Sequence, residues 1–273
     1  MKSYLLFFCV ILSNLMMSQE LTIGWEIDYG ESYQDRFFSI IENQKGELVA
    51  VGQRISGLRK HALFCRIDPK DGRLIDGFVT GQQRQEETIV YDVAETPEGH
   101  YLLAGYLTSN KKSKSNGLLY KMNEYGKSIW KGSAPMIKAF TQVIQNGDGE
   151  IFAVGITHNN KSCLLKFDTN NGHLMWSKQL DNYTNEKINT ITLTSQNKIV
   201  VASHQKLENV DISYLYQINS DGTQVWKKPF LHKRITDIAV NQTGSIVMVG
   251  IDYSSKNPQS FFQEVDSLSL IHI

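Results

Sequence analysis

The residue types that most often perform catalysis or bind metals are scattered along this chain. No segment matches the nucleophile elbow G-x-S-x-G, the phosphate loop G-x-x-x-x-G-K-[ST], the dinucleotide turn G-x-G-x-x-G or the zinc motif H-E-x-x-H. The histidines before the C-terminal segment share no ligand spacing, and they are His61, His100, His158, His173, His204 and His232. The sequence therefore favours a non-catalytic protein over an enzyme, which stays the alternative, and it predicts no cofactor and no metal.

Residues that could bind a ligand fall in two sets of longer, polar segments. In the repeat described below, one set links the second and third strands of a unit and the other leads into each unit, so both sets emerge on the same face. Function tends to lie on such connections. An ordinary role as solvated loop residues is the alternative for each. The candidates are Tyr29, Tyr33, Arg54, Arg59, Lys60, His61, Arg84, Lys111, Lys112, His158, Tyr183, His232 and Arg234.

The elements that would position these residues form an internal repeat, which the four tryptophans mark. Trp130, Trp176 and Trp226 each follow a glycine by four residues, and Trp25 stands in a similar context. One copy, near Ile75-Asp76, keeps the glycine at position 72 and lacks the tryptophan. A repeat of this kind predicts that the tryptophans occupy equivalent, buried outer-strand positions.

A second landmark pairs a turn residue with a small residue six positions later. The turn residues recur at intervals of 53, 50, 48 and 47 residues. The fourth copy has Asn in place of Gly, which is the next best residue for a positive φ angle. The pairs are Gly46/Gly52, Gly99/Gly105, Gly149/Gly155, Asn197/Ser203 and Gly244/Gly250. The turn therefore requires a left-handed backbone, and the second position requires a small side chain where sheets approach closely.

The segments between these landmarks are rich in β-branched and aromatic residues, and no segment has a capped helical period. Four short antiparallel strands per unit of roughly 45–50 residues is typical of a β-propeller blade. We expect an all-β chain with about five blades that start near residues 37, 90, 139, 188 and 235. Residues 22–27 form a lone outer strand that we expect to complete the fifth blade and close the ring. The alternative is an open arc with a gap between the first and last blades.

The repeat resembles the tandem propeller repeats of secreted bacterial proteins. The resemblance covers residues 22–266 and specifies fold more than function. Its pattern is W-x-x-x-Y-G, D, a turn, A-V-G, K/R-hydrophobic-D/N and G-x-x-x-W. The matching positions are Trp25, Tyr29, Gly30, Asp35, Ser39, Gly46, Ala50, Gly52, Arg66, Asp68 and Gly72 in the first copy, then Lys121, Asn123, Gly126, Trp130, Lys166, Asp168, Gly172 and Trp176.

A more distant resemblance is to quinoprotein-type propellers. The string from Asp168 to Trp176 is similar to a motif that docks blades in pyrroloquinoline-quinone dehydrogenases, but it does not bind the cofactor there. The Asp, Glu and Arg residues that those enzymes use are not found in this chain. We therefore expect structural tryptophans and no cofactor.

The first 18 residues are typical of a signal peptide, with Lys2 before an apolar run over 4–12 that is too short to span a bilayer. We expect a secreted, periplasmic or cell-surface protein with no transmembrane segment in the mature chain. The 28 basic and 28 acidic residues form no basic stripe, so nucleic acid is not an expected partner. Cys65 and Cys163 lie two units apart, which favours buried free thiols over a disulfide.

The last six residues, 268–273, depart from the repeat and resemble a translated sequencing adapter. This suggests a propeller over 19–267 that is truncated within or after its fifth copy. The leading function is a non-catalytic binding or scaffold module for an unknown protein or glycan. The alternatives are a truncated quinoprotein-like or hydrolase-associated enzyme, and the propeller stalk of a cell-surface adhesin or sorted protein.

Overall fold

The computed structural model describes residues 24–28, 34–57, 59–80, 86–109, 115–180 and 186–266. Within these ranges every regular element is a β-strand, and the strands form five antiparallel sheets, I to V. The described part contains no helix that could cross a membrane. The predicted all-β class is therefore confirmed.

Four sheets have four strands each, and each strand pairs with the next along the chain. Sheet I contains β1 (Gln34–Glu42), β2 (Leu48–Ser56), β3 (Arg59–Ile67) and β4 (Leu74–Thr80). Sheet II contains β5 (Glu86–Glu95), β6 (Tyr101–Ser109), β7 (Ser115–Met122) and β8 (Ser128–Gly132). Sheet III contains β9 (Ile137–Gln145), β10 (Ile151–Thr157), β11 (Ser162–Phe167) and β12 (Leu174–Lys178). Sheet IV contains β13 (Lys187–Leu193), β14 (Ile199–Leu207), β15 (Val210–Ile218) and β16 (Gln224–Leu231).

Sheet V has three described strands, β17 (Lys233–Val240), β18 (Ile246–Asp252) and β19 (Gln259–Val265). The five sheets begin one to four residues before the starts that the repeat predicts. The strands are short and rich in Val, Ile, Phe and Tyr, the residue types that favour strands.

The first turn of every sheet has the left-handed backbone that the sequence indicates. The φ angles are +74° at Gly46, +75° at Gly99, +81° at Gly149, +60° at Asn197 and +86° at Gly244. These values explain why Gly recurs there and why Asn replaces it in one copy.

The small residue six positions later is required for a different reason from the predicted one. A Cβ atom at Gly52 would lie 1.8 Å from the carbonyl oxygen of Arg36, and one at Gly105 would lie 1.9 Å from that of Ile89. Both carbonyls belong to the first strand of the same sheet, next to a β-bulge. The close approach is therefore within a sheet, and we correct the expectation that it lies between sheets.

The same correction applies to Gly250 and Gly155. A Cβ atom at Gly250 would lie 2.1 Å from the carbonyl oxygen of Arg234, which is on the first strand of sheet V. At Gly155 the nearest atoms belong to the side chains of Ile137 and Leu165, at 3.0 Å, and both residues are in sheet III. Gly155 therefore departs from the other copies, because side chains rather than a backbone carbonyl restrict its size.

The core lies between consecutive sheets. The first strand of each later sheet packs against the first three strands of the sheet before it, in the pairs I–II, II–III, III–IV and IV–V. Sheets II and III, for example, share Leu102, Leu119, Phe140, Val143 and Leu165, all of which are buried. This arrangement explains why the second strands are apolar on both faces.

Tryptophans on the fourth strands dock each sheet onto the next one. Trp130 on β8 lies on the turn between β11 and β12, where a Cβ atom at Gly172 would come within 2.5 Å of the indole. Its N–H donates to the carbonyl oxygen of Thr169 at 2.9 Å. Trp176 on β12 donates to the carbonyl oxygen of Ser220 at 3.3 Å in the same way.

The unit without a tryptophan uses another aromatic residue. Phe78 on β4 contacts Gly126 in the turn between β7 and β8 of sheet II. Asp76, which occupies the tryptophan position, pairs instead with Arg66 across the strands. The docking contact is therefore kept, although the sequence shows only the loss of the tryptophan.

Trp226 on β16 is buried like Trp130, but its indole N–H has no hydrogen-bond partner in the described residues.

The lone strand expected at 22–27 is described from Gly24 onward, and Gly24–Asp28 has no strand pairing. Its tryptophan nevertheless docks on sheet I. Trp25 donates to the carbonyl oxygen of Pro69 at 2.8 Å and lies on Gly72. In the described residues β19 pairs with β18 alone. Closure of sheet V by residues 22–27 therefore stays a prediction.

Cys65 and Cys163 are buried free thiols. Burial raises the pKa of the Cys65 thiol to about 11 and also raises that of Cys163. Both side chains therefore act as small apolar residues of the core.

Candidate functional site

One polar side chain of each first strand faces a common cavity. Every first strand is interrupted by a β-bulge, and the polar residue follows the bulge directly. A bulge inserts an extra residue and re-aims the side chains that follow it. We call this set the polar arc, and its members, from sheet I to sheet V, are Ser39, Asp92, Gln142, Thr190 and Asp237.

Hydrogen bonds connect the first three sheets through Asp92. The Ser39 hydroxyl of sheet I donates to Asp92 Oδ1 at 2.7 Å. The backbone N–H of Val143 in sheet III donates to Asp92 Oδ2 at 2.9 Å. One carboxylate therefore joins the sheet before it and the sheet after it.

The same arrangement continues through sheets III to V. Gln142 Nε2 donates to Thr190 Oγ1 at 3.3 Å, and the backbone N–H of Ile191 donates to Gln142 Oε1 at 3.0 Å. The Thr190 hydroxyl in turn donates to Asp237 Oδ1 at 2.9 Å. The polar arc thus combines hydrogen bonds between sheets with acceptor oxygens that face the cavity.

The cavity has a volume of about 710 Å³ and opens at the first hairpin turns. That volume is within the usual range for a ligand pocket. Glu42, Gln44, Glu95, Thr96 and Asn146 lie at its mouth. We call this space the central cavity.

The central cavity has a one-sided charge. Four carboxylates line it, those of Glu42, Asp92, Glu95 and Asp237, and none of the described lining residues is basic. Burial raises the pKa of Asp92, and the nearby Asp237 carboxylate adds to this effect, while the hydrogen bonds from Val143 and Ser39 oppose it. An ammonium or guanidinium group would be stabilised here by both the charge and the acceptor oxygens.

Among the ligand-face residues predicted from the sequence, those that the structure describes do not line this cavity. Arg54 lies near the end of β2 and forms an ion pair with Asp35 at 2.7 Å. Arg59, Lys60 and His61 begin β3 on the same side. These positions are at the β2–β3 connection, whereas the cavity opens at the β1–β2 turn.

The remaining predicted residues are similarly spread out. His158 lies between β10 and β11, and its backbone N–H donates to the carbonyl oxygen of Met136. His232 and Arg234 flank the start of β17. Tyr29, Tyr33, Arg84, Lys111, Lys112 and Tyr183 lie outside the described residues. The predicted ligand face therefore remains untested as a site.

The polar arc has a sequence signature that the motif search missed. In each copy a polar residue stands seven positions before the turn residue: Ser39, Asp92, Gln142, Thr190 and Asp237 precede Gly46, Gly99, Gly149, Asn197 and Gly244. The residue type varies among copies, so only the constant spacing could have indicated it. In the part of the chain that the structure describes, no cluster of three or more His, Cys, Asp or Glu residues could hold a metal ion.

No protein-family model and no curated protein sequence matches the chain. In structure it is similar to a protein of unknown function from Bacteroides caccae, with a TM-score of 0.56 and 15% identity over 89% of this chain and 81% of that one. It is also similar to a glucose dehydrogenase, with a TM-score of 0.52 and 10% identity over 86% of this chain and 82% of that one.

A third similar structure is described as the Dos1 propeller. The TM-score is 0.54 and the identity 13%, over 87% of this chain and 59% of that one. At these identities the likeness shows a shared all-β fold and does not extend to activity.

Proposed function

We propose that this chain is an exported β-propeller that binds a ligand in its central cavity and does not catalyse a reaction. The five sheets are its blades, and residues 22–27 have the place of a fourth strand that can complete a sheet V. The succession of similar sheets, each docked on the next by an aromatic residue, supports the fold. The similarity to a propeller structure agrees with it. Export is proposed from the signal-peptide pattern of residues 1–18.

One observation supports the binding function most strongly, which is the central cavity with four carboxylates and no basic residue among its described lining. A glycan would offer hydroxyl groups to such a site, whereas a protein segment with Lys or Arg would offer both donors and positive charge. Because the charge is one-sided, we propose a protein partner that inserts a basic side chain. Attraction of this kind weakens as salt screens it.

The test is calorimetric titration of the protein with a hexalysine peptide, with hexaglutamate as the reversed-charge probe. We expect hexalysine to bind, hexaglutamate not to bind, and salt to weaken the binding. Replacing Asp237 by Asn should weaken the binding about tenfold, since it removes a charge-assisted hydrogen bond that contributes roughly 1.5–3 kcal/mol. Asp237 is solvent-exposed, so the variant should keep its fold.

The matched control is Glu208→Gln, which removes one carboxylate from the exposed turn between β14 and β15. This change should leave the affinity for hexalysine unchanged. Equal weakening in both variants would show a nonspecific effect of net charge and would contradict the proposed site, as would a failure of hexalysine to bind.

A further inference from the structure

The two end sheets expose apolar faces whose counterparts are buried elsewhere in the chain. Phe37 and Ile40 on β1 are 39% and 58% exposed. Phe37 lies opposite the small residue Gly52, and the residues at the same register in the later sheets are Val90, Phe140, Ile188 and Ile235, all buried. Each of those side chains packs against the preceding sheet, and among the described residues no sheet precedes sheet I.

Sheet V exposes its other face, the one that a following sheet covers in sheets I to IV. Val249 and Phe262 pair across β18 and β19 and are 37% and 74% exposed. The corresponding pairs are Val51/Phe64, Ala104/Leu119, Val154/Leu164 and Ala202/Leu215, and each is buried under the following sheet. The back of sheet V is therefore one half of an inter-sheet interface, and the front of sheet I is the other half.

The two halves also match in polar groups. In sheets III and IV, the N–H of the residue that follows the polar arc donates to the arc residue of the preceding sheet, as Val143 does to Asp92. In sheet I the residue that follows the arc is Ile40, and in sheet V the arc residue is Asp237. A sheet I packed on a sheet V would therefore bring an N–H donor to a carboxylate acceptor.

Residues 24–28 also fit a contact between sheet I and a sheet V. Trp25 docks on sheet I through Pro69 and Gly72, as Trp130 of sheet II docks on sheet III. The segment thus has the position of a fourth strand from a preceding sheet. If its sheet I packs on a sheet V, the segment lies beside the open edge of β19, where it can add by strand pairing.

We propose that these faces bind a second copy of this chain, with the front of sheet I of one copy packed on the back of sheet V of the next. Within one chain both faces are exposed in the described structure, so they do not cover each other. Exposed apolar side chains on two faces favour association. The contact is head-to-tail, since it joins two different surfaces, and it forms a ring or a filament according to its rotation.

The test measures mass in solution by light scattering after size-exclusion chromatography, over a range of protein concentrations. Wild-type protein should form species of two or more chains. Ile40→Glu and Phe262→Glu should each give monomers, because each places a charge on one half of the contact. Both side chains are exposed in the chain, so the thermal unfolding temperature of these variants should not fall.

Mixing the two variants gives the sharpest result. The Ile40→Glu copy keeps an intact sheet V face and the Phe262→Glu copy keeps an intact sheet I face, so the mixture should form a dimer and nothing larger. Met175→Glu, which changes an exposed residue of β12, is the control and should leave association unchanged. Wild-type protein that is monomeric at every concentration would overturn the proposal, as would a mixture that stays monomeric.

Discussion

At the residue scale, Asp92 is the polar group that links the first strands of sheets I, II and III. It accepts hydrogen bonds from Ser39 in sheet I and from the Val143 N–H in sheet III, while it belongs to sheet II. Its carboxylate is largely removed from water, and desolvation is the main reason that its pKa is raised. The same side chain therefore stabilises the contact between sheets and contributes negative potential to the cavity.

This raised pKa predicts a pH-dependent stability. In the unfolded chain Asp92 has an ordinary pKa, so the folded state favours the protonated form. The resulting stabilisation is complete below the ordinary pKa and is lost as pH rises through the raised pKa. Asp92→Asn has no such titration. The difference in unfolding temperature, wild type minus variant, should decrease as pH rises above the ordinary carboxyl pKa of about 3.9. A difference that stays constant or grows would contradict the burial of this carboxylate.

The glycine at position 52 gives a second prediction at this scale. A methyl group there would overlap the Arg36 carbonyl oxygen, and that backbone cannot move without breaking the bulge. We expect Gly52→Ala to lower the free energy of unfolding by at least about 3 kcal/mol, through strain and repacking. Gly24→Ala is the control, because nothing lies within 4 Å of the added atom. Chemical denaturation measures both changes, and equal values would contradict the close approach.

At the element scale, the sheets are connected by one aromatic contact per junction. The indole of a fourth strand covers the glycine of the next sheet's last turn and donates to a carbonyl oxygen there. Phe78 covers Gly126 without such a hydrogen bond, so packing alone is sufficient at one junction.

Replacing tryptophan by phenylalanine should separate packing from hydrogen bonding. Trp130→Phe loses apolar contact and the hydrogen bond to Thr169, whereas Trp226→Phe loses apolar contact only, since the Trp226 N–H has no partner in the described residues. Trp130→Phe should therefore cost about 1 kcal/mol more in the free energy of unfolding than Trp226→Phe. Denaturant unfolding of the two variants measures this difference. A larger loss for Trp226→Phe would mean that its indole has an acceptor.

Sequence reasoning predicted the elements well for a physical reason. A left-handed turn accepts few residue types, so the glycines and Asn197 mark every first hairpin. Large indoles mark three of the junctions for a similar reason. Phe78 could not be predicted, because many residues can fill an apolar gap. It also lies two residues after Asp76, which occupies the position of the tryptophan in the other copies.

The candidate site was harder to predict than the fold. The polar arc needs only a hydrogen-bonding group at each position, so Ser, Asp, Gln and Thr all occur and no residue type is repeated strictly. The bulges that aim these side chains at one cavity depend on backbone register, which a motif search does not detect. The predicted loop residues that the structure describes, such as His61 and His158, lie at the other end of the sheets, and the ligand face that they would form stays a prediction.

At the scale of the whole molecule, the chain repeats one interface four times and exposes the two halves of a fifth. The central cavity lies where the first strands of the five sheets meet, and its acidic lining comes from three of the sheets. The proposed binding function and the proposed association share Asp237, which lines the cavity and would accept the Ile40 N–H of a second copy. The Phe262→Glu variant separates the two proposals, because Phe262 is on the outer face of sheet V and not among the described lining of the cavity.

The most direct test of the central claim is a nuclear magnetic resonance titration of the isotope-labelled protein with hexalysine, which maps the binding site by the backbone amide signals that move. The account predicts the largest shifts at the amides beside the polar arc, those of Val143, Ile191 and Ile238. Shifts confined to the connections that carry His61, His158 and His232 would place the ligand on the opposite face and would contradict a binding site in the central cavity.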